Sequence, residues 1–100
     1  MIVEDRLIEA TLRVLHSLHG KVVKWDELDE LERAIKRRFK KLGICKELDV
    51  DSNWEDPDSI DIRIFCDDKV IYTCAHVEYR LKTRELNEMD VEVEEAEDTK

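Results

Sequence analysis

Residues 59–82 read Ser59-Ile60-Asp61-Ile62-Arg63-Ile64-Phe65-Cys66-Asp67-Asp68-Lys69-Val70-Ile71-Tyr72-Thr73-Cys74-Ala75-His76-Val77-Glu78-Tyr79-Arg80-Leu81-Lys82, and the spacing of their apolar side chains decides the fold. Ile60, Ile62, Ile64 and Cys66 alternate with Asp61, Arg63, Phe65 and Asp67. A period of two marks a half-buried β-strand, because successive side chains point to opposite faces. Asp67-Asp68-Lys69 reads as a hairpin turn. A second strand is expected from Val70 to about Thr83, with Ile71, Ala75, Val77, Tyr79 and Leu81 on one face. The same alternation sends Phe65, Val70, Tyr72, Cys74 and His76 to the other face. A core does not take Asp61 and Arg63 without a large desolvation cost. The isoleucine side is therefore the expected core, and the side with Phe65, Tyr72 and His76 is the expected partner-binding surface.

Upstream the period lengthens to that of helices. Over residues 4–19, Leu7, Ile8, Thr11, Leu12, Val14, Leu15 and Leu18 form an apolar stripe, and Gly20 follows as a left-handed C-terminal residue. Lys21 to Trp25, with Val22-Val23, reads as a short strand or a linker. Asp26 is expected to open a second helix as its cap, with Leu28, Leu31, Ile35, Phe39 and Leu42 along one stripe and Gly43 at the end. Ile44, Leu48 and Val50 then alternate as a strand, residues 51–59 with Pro57 read as a loop, and Met89, Val91 and Val93 suggest a last strand. The expected fold is α+β: two N-terminal helices packed on one face of a three- to four-stranded antiparallel meander. One domain spans residues 1–94, and residues 95–100 form a disordered acidic tail.

The chain has 100 residues, enough for one modest core, with 43% charged residues, no Gln, two Gly and one Pro. That composition resembles proteins of heat-adapted sources. The net charge is −9, but residues 85–100 hold eight acids and one base, so seven of those charges sit there. No stretch is long and apolar enough to span a membrane. The start Met1-Ile2-Val3-Glu4-Asp5 lacks the basic and apolar regions of a signal peptide, and three cysteines is an odd number. Both features lead to the expectation of a cytoplasmic protein with reduced thiols.

Helix two reverses its charge along its length, from Asp26, Glu27, Asp29, Glu30 and Glu32 to Arg33, Lys36, Arg37, Arg38, Lys40 and Lys41. One reading makes Arg33, Lys36, Arg37, Lys40 and Lys41 a nucleic-acid-binding surface laid along phosphates. The other makes the pattern a complement to the helix dipole, supported by pairs such as Glu32 with Lys36. Asp49, Asp51 and Asn53 have the spacing of the first three ligands of a calcium loop, but Trp54 and Ile60 stand where the glycine and the last carboxylate belong. His16 with His19, and Cys74 with His76, lack the paired spacing of a zinc site.

Asp61 on one strand, followed across a hairpin by His76-Val77-Glu78-Tyr79-Arg80-Leu81-Lys82, resembles the core of the PD-(D/E)xK nuclease family. The resemblance implies Mg²⁺ held by Asp61 and Glu78 beside a scissile phosphate. Arg80 stands where that family has Lys, and Lys82 lies on the same side of the strand. The leading expectation is a non-enzymatic protein-interaction module, binding another protein or itself as a homodimer, without cofactor or metal. The competing expectations are the nucleic-acid binder and the divergent nuclease.

Overall fold

The computed structural model describes residues 4–96. In chain order it comprises α1 (Glu4–Ser17), α2 (Leu28–Leu42), β1 (Leu48–Asp56), β2 (Ser59–Cys66), β3 (Lys69–Glu78), β4 (Arg80–Lys82), a 3₁₀ turn at Glu88–Asp90, and β5 (Val91–Glu95). The class is α+β, with both helices on one face of an antiparallel sheet. The strand order is β1-β2-β3-β4, with β5 also beside β3. The ten-residue β3 offers one long edge to two strands: Lys69–Thr73 pair with β5 and His76–Glu78 with β4.

The core follows from the two periods meeting. Ile60, Ile62 and Ile64 lie opposite Ala75, Thr73 and Ile71, and all are buried on the helix side. Leu7, Thr11, Val14 and Leu15 of α1 and Leu31, Ala34, Ile35 and Phe39 of α2 close over them. Each fully buried aliphatic or aromatic side chain contributes about 1.5–3 kcal/mol. Thr11 is tolerated there because its hydroxyl donates to the Leu7 carbonyl at 2.7 Å. α2 lies against β1, and α1 against β5. Gly43 ends α2 at φ 67 and donates to the Lys40 carbonyl, in the left-handed region that favours glycine.

The return of β5 to β3 depends on the segment after β4. The Thr83 hydroxyl donates to the Leu15 carbonyl at 2.6 Å. Nδ1 of His19 accepts the backbone N–H groups of Thr83 and Arg84 at 3.0 and 3.1 Å. The end of α1 thus fixes the chain as it leaves the sheet. The Asn87 and Asp90 side chains each accept a backbone N–H across the 3₁₀ turn, and the Asp90 carbonyl receives the Thr73 hydroxyl at 2.9 Å. Met89 lies in this turn and is almost fully exposed, so the last strand starts at Val91.

Several expectations are corrected. Residues 51–56 are strand: Leu48, Val50, Ser52 and Trp54 face the core side while Asp49, Asp51, Asn53 and Glu55 alternate outward. Only Pro57 and Asp58 turn. α2 begins at Leu28 with Glu27 at its cap position and no side-chain cap bond, so Asp26 does not open it. The turn before it is held instead by the Glu27 N–H on the Lys24 carbonyl and the Trp54 indole on the Trp25 carbonyl. Tyr79 does not reach the core. Its φ of 66 breaks the alternation, so Val77 and Leu81 face each other while Tyr79 stays 68% exposed. Val22 makes an isolated bridge to Arg80, which makes the 21–23 segment a linker pinned to β4.

Cys45 and Cys66 form a disulfide, with Cα atoms 5.3 Å apart, and Cys74 is free. The expectation of three reduced thiols fails because the linker after α2 crosses the end of β2. One Asp67 carboxylate oxygen accepts the N–H groups of Lys46 and Glu47 at 2.9 and 2.8 Å, which sets Cys45 beside Cys66. Disulfides are rare in reducing cytosol outside extreme heat-adapted cells. The bond therefore removes the cysteine-based support for a cytoplasmic location. β5 includes Glu95, and the Ala96 N–H donates to the Asp68 carbonyl at 2.8 Å. The rest of the expected tail, residues 97–100, lies outside the described residues. No helix among the described residues is long and apolar enough to cross a membrane.

Candidate functional site

Alternation along neighbouring strands lays the outward side chains in rows across the sheet face turned away from the helices. One row runs Asp49, Phe65, Val70, Glu94, and the next Asp51, Arg63, Tyr72, Glu92. A third runs Asn53, Asp61, Cys74, and a fourth joins Ser59, His76 and Lys82. Phe65, Val70 and Tyr72 occupy the central strands, and carboxylates flank them on β1 and β5. Arg63 pairs with Asp51, and its guanidinium stands 6.0 Å from the Phe65 ring centre. Tyr72 is 38% exposed. A shallow depression of ≈ 490 Å³ lies among Asn53, Asp61, Arg63, Tyr72, Glu92 and Glu94.

The carboxylates crowd one another. The charge of Asp61 beside Glu55 raises the Glu55 carboxyl above its ordinary value, with smaller contributions from desolvation and Asp56. A hydrogen bond to Glu92 raises Glu94 in the same way. Asp56 is lowered, chiefly by the Asp58 backbone N–H and then by the Ser59 side chain. Desolvation, followed by the charges of Asp90, Asp61 and Glu55, pushes the Cys74 thiol up. A protonated thiol is a poor nucleophile.

The three expected contact residues share this face. Phe65 is half-buried, and Tyr72 and His76 are exposed. Phe65 and Tyr72 flank Arg63, but His76 lies four residues along β3 from Tyr72, about 13 Å away. It stands instead beside Glu78, with Nε2 3.6 Å from the carboxylate. The row of acids on β1 is part of the site that sequence reasoning missed, because Asp, Ser and Asn there read as loop.

Asp61 lies opposite Cys74, and Glu78 is four residues further along β3, again about 13 Å, too far to share one cation. Among the described residues no three His, Cys, Asp or Glu side chains gather as metal ligands. Asp49, Asp51 and Asn53 stand in line along a strand and do not wrap around an ion.

The basic half of α2 divides. Arg33 pairs with Asp29 at 3.2 Å, and Lys36 with Asp49 at 3.7 Å. Glu32 takes the Ser52 hydroxyl at 2.6 Å rather than Lys36, so Glu32 and Lys36 tie α2 to β1, while the Arg33 pair stays within α2. Arg37, Lys40 and Lys41 are exposed and make no ion pair among the described residues. Arg37 and Lys41 line a cleft of ≈ 360 Å³ together with Arg38, and with Arg13 and Ser17 from α1. Sequence reasoning missed Arg13, whose only signal was its place on the polar side of α1, one turn before Ser17. Compared with family models, curated proteins and solved structures, the chain matches none.

Proposed function

We propose that the chain is a non-enzymatic interaction module whose open sheet face docks a cationic segment of another protein. The supporting observation is the arrangement of that face: Phe65, Arg63 and Tyr72 in the centre, Glu92 and Glu94 on one flank, and on the other Asp49 and Asp51, which already pair with Lys36 and Arg63. An aromatic centre gives a partner apolar area that excludes water, and the charged flanks steer encounter and fix register. The raised carboxyl of Glu55, caused chiefly by the charge of Asp61, marks repulsion that a docked Lys or Arg relieves.

Size selects the kind of partner. Four strands about 4.8 Å apart and eight residues at about 3.3 Å each give roughly 500 Å². A standard interface takes about 800 Å² per partner, so the face suits a peptide or one helix rather than a whole domain. A second copy docked face to face would set the same carboxylate rows against each other. A cationic partner is favoured over a symmetric homodimer through this face.

The test uses a fluorescent Lys/Arg-rich peptide carrying one aromatic residue, titrated with the full chain at about 50 mM salt and again at about 300 mM. Binding should weaken steeply with salt, fall at least tenfold in Tyr72→Ala and in Glu92→Lys/Glu94→Lys, and persist in Arg37→Ala. Failure to bind at low salt, or indifference to the Tyr72 and Glu92/Glu94 changes, overturns the proposal.

A further inference from the structure

We propose that the cleft between α1 and α2 is a phosphate-binding site, taking the phosphate of a nucleotide or of a nucleic-acid backbone. It stands apart from the sheet face and does not rest on the reading given for that face.

Four cations converge on this cleft, Arg13 from α1 and Arg37, Arg38 and Lys41 from α2, and no carboxylate lines it. None of the four makes an ion pair among the described residues. Acids are not scarce in a chain of 26 acids and 17 Lys and Arg. Arg33, Lys36, Arg63 and Lys69 each have a carboxylate partner, whereas other cations such as Lys21, Lys24, Lys46 and Arg84 have none among the described residues, so what marks the cleft is the grouping of four. The helix dipole accounts for Lys40 and Lys41 in the last turn of α2. It does not account for Arg13, which lies within α1 and belongs to another helix. Like charges brought together without a counter-charge repel, and an anion between them reverses the sign of that interaction.

The geometry fits phosphate. Arg38 is held in place by a bond from Nη1 to the Ser17 hydroxyl at 3.2 Å, and that hydroxyl donates to the Val14 carbonyl at 2.6 Å. The remaining N–H groups of Arg38, with those of Arg13 and Arg37, supply planar forks that match phosphate oxygens in pairs. Val14 and Leu42 add an apolar wall that strengthens charge interactions beside it. At ≈ 360 Å³ the cleft falls at the small end of ligand pockets, which run from roughly 300 to 1,000 Å³.

The experiment titrates the full chain at about 50 mM salt with three probes: inorganic phosphate, ATP and a mixed-sequence 20-nucleotide single-stranded DNA. At least one should bind, and that binding should fall tenfold or more in Arg13→Ala and in Arg38→Ala. It should stay within twofold in Arg33→Ala, whose side chain lies outside the cleft. DNA binding that ATP displaces only weakly assigns the backbone as the source, whereas equal competition assigns a small phosphate. Both outcomes support the site. No binding of any probe, or equal losses in Arg13→Ala and Arg33→Ala, overturns it. If a variant misfolds, amide shifts of the unmodified chain on adding the binding probe decide: they should centre on Arg13, Ser17 and Arg38, and shifts confined elsewhere refute the cleft.

Discussion

Ile62 and Tyr72 sit one strand apart and face opposite ways, and their substitutions separate core from surface. Ile62 is 1% exposed, between Ser52 and Thr73 on neighbouring strands. Truncating it leaves a cavity that the packed isoleucines cannot fill. Ile62→Ala should cost about 2–5 kcal/mol in urea melts. Tyr72→Lys removes a side chain that is partly exposed on the outward face opposite Glu92, and should cost under about 1 kcal/mol. Equal losses would mean that the outward face is itself covered. His19 shows why a residue's role here is hard to see in isolation. Helical spacing put it near the end of α1, but nothing local to it announces that Nδ1 receives two N–H groups from residues 64 and 65 positions away.

Among the elements, the link from α2 to β1 holds the largest single constraint. Cys45 and Cys66 close a loop with a sequence separation of 21. A loop of that size restricts the unfolded chain by about 3 kcal/mol in the chain-entropy account. Reduction, or Cys45→Ser, should therefore lower the stability to denaturant by about 2–4 kcal/mol while far-UV circular dichroism stays native. A midpoint unmoved by reductant would show that the bond does not persist in solution. β2, the turn at Asp67-Asp68 and most of β3 were legible because one face is buried on every alternate residue. Both helices were legible from their stripes, to within two or three residues at the ends. β1 was not, because its inward positions include Ser52, and Asp49, Asp51 and Asn53 carry turn propensity that the pairing with β2 overrides. The charged half of α2 was visible in the sequence. The assembly of Arg13 with Arg37 and Arg38 was not, since it depends on how two helices cross.

At the scale of the whole molecule a basic cleft lies on the helix layer and rows of carboxylates flank the opposite sheet face. The smallest extent of the molecule is 24 Å. That is about two to three Debye lengths at physiological salt, so the two poles act independently. Proton binding follows from the acidic pole. Glu55 and Glu94 are raised above their ordinary value of 4.5, so the folded chain holds protons there that the unfolded chain has lost. Their contribution is complete below 4.5 and disappears as pH rises through the raised values. Asp56, lowered from 3.8, acts oppositely, and its contribution is lost as pH falls below that value. Net repulsion also declines toward the isoelectric point near 4.8. The melting temperature should rise as pH falls from 7 to about 5 and drop below about 3.5, with a shallower rise in Glu55→Gln. A melting temperature that falls steadily from pH 7 downward would contradict this.

The nine-residue β1 has β2 on one side and, among the described residues, no strand on the other. Asp49, Glu55 and Asp56, exposed along it, are what keep two such borders from zipping together. That protection is electrostatic and so weakens as salt rises. At high ionic strength native molecules should therefore associate border to border without unfolding, and light scattering beside circular dichroism at rising salt would show it.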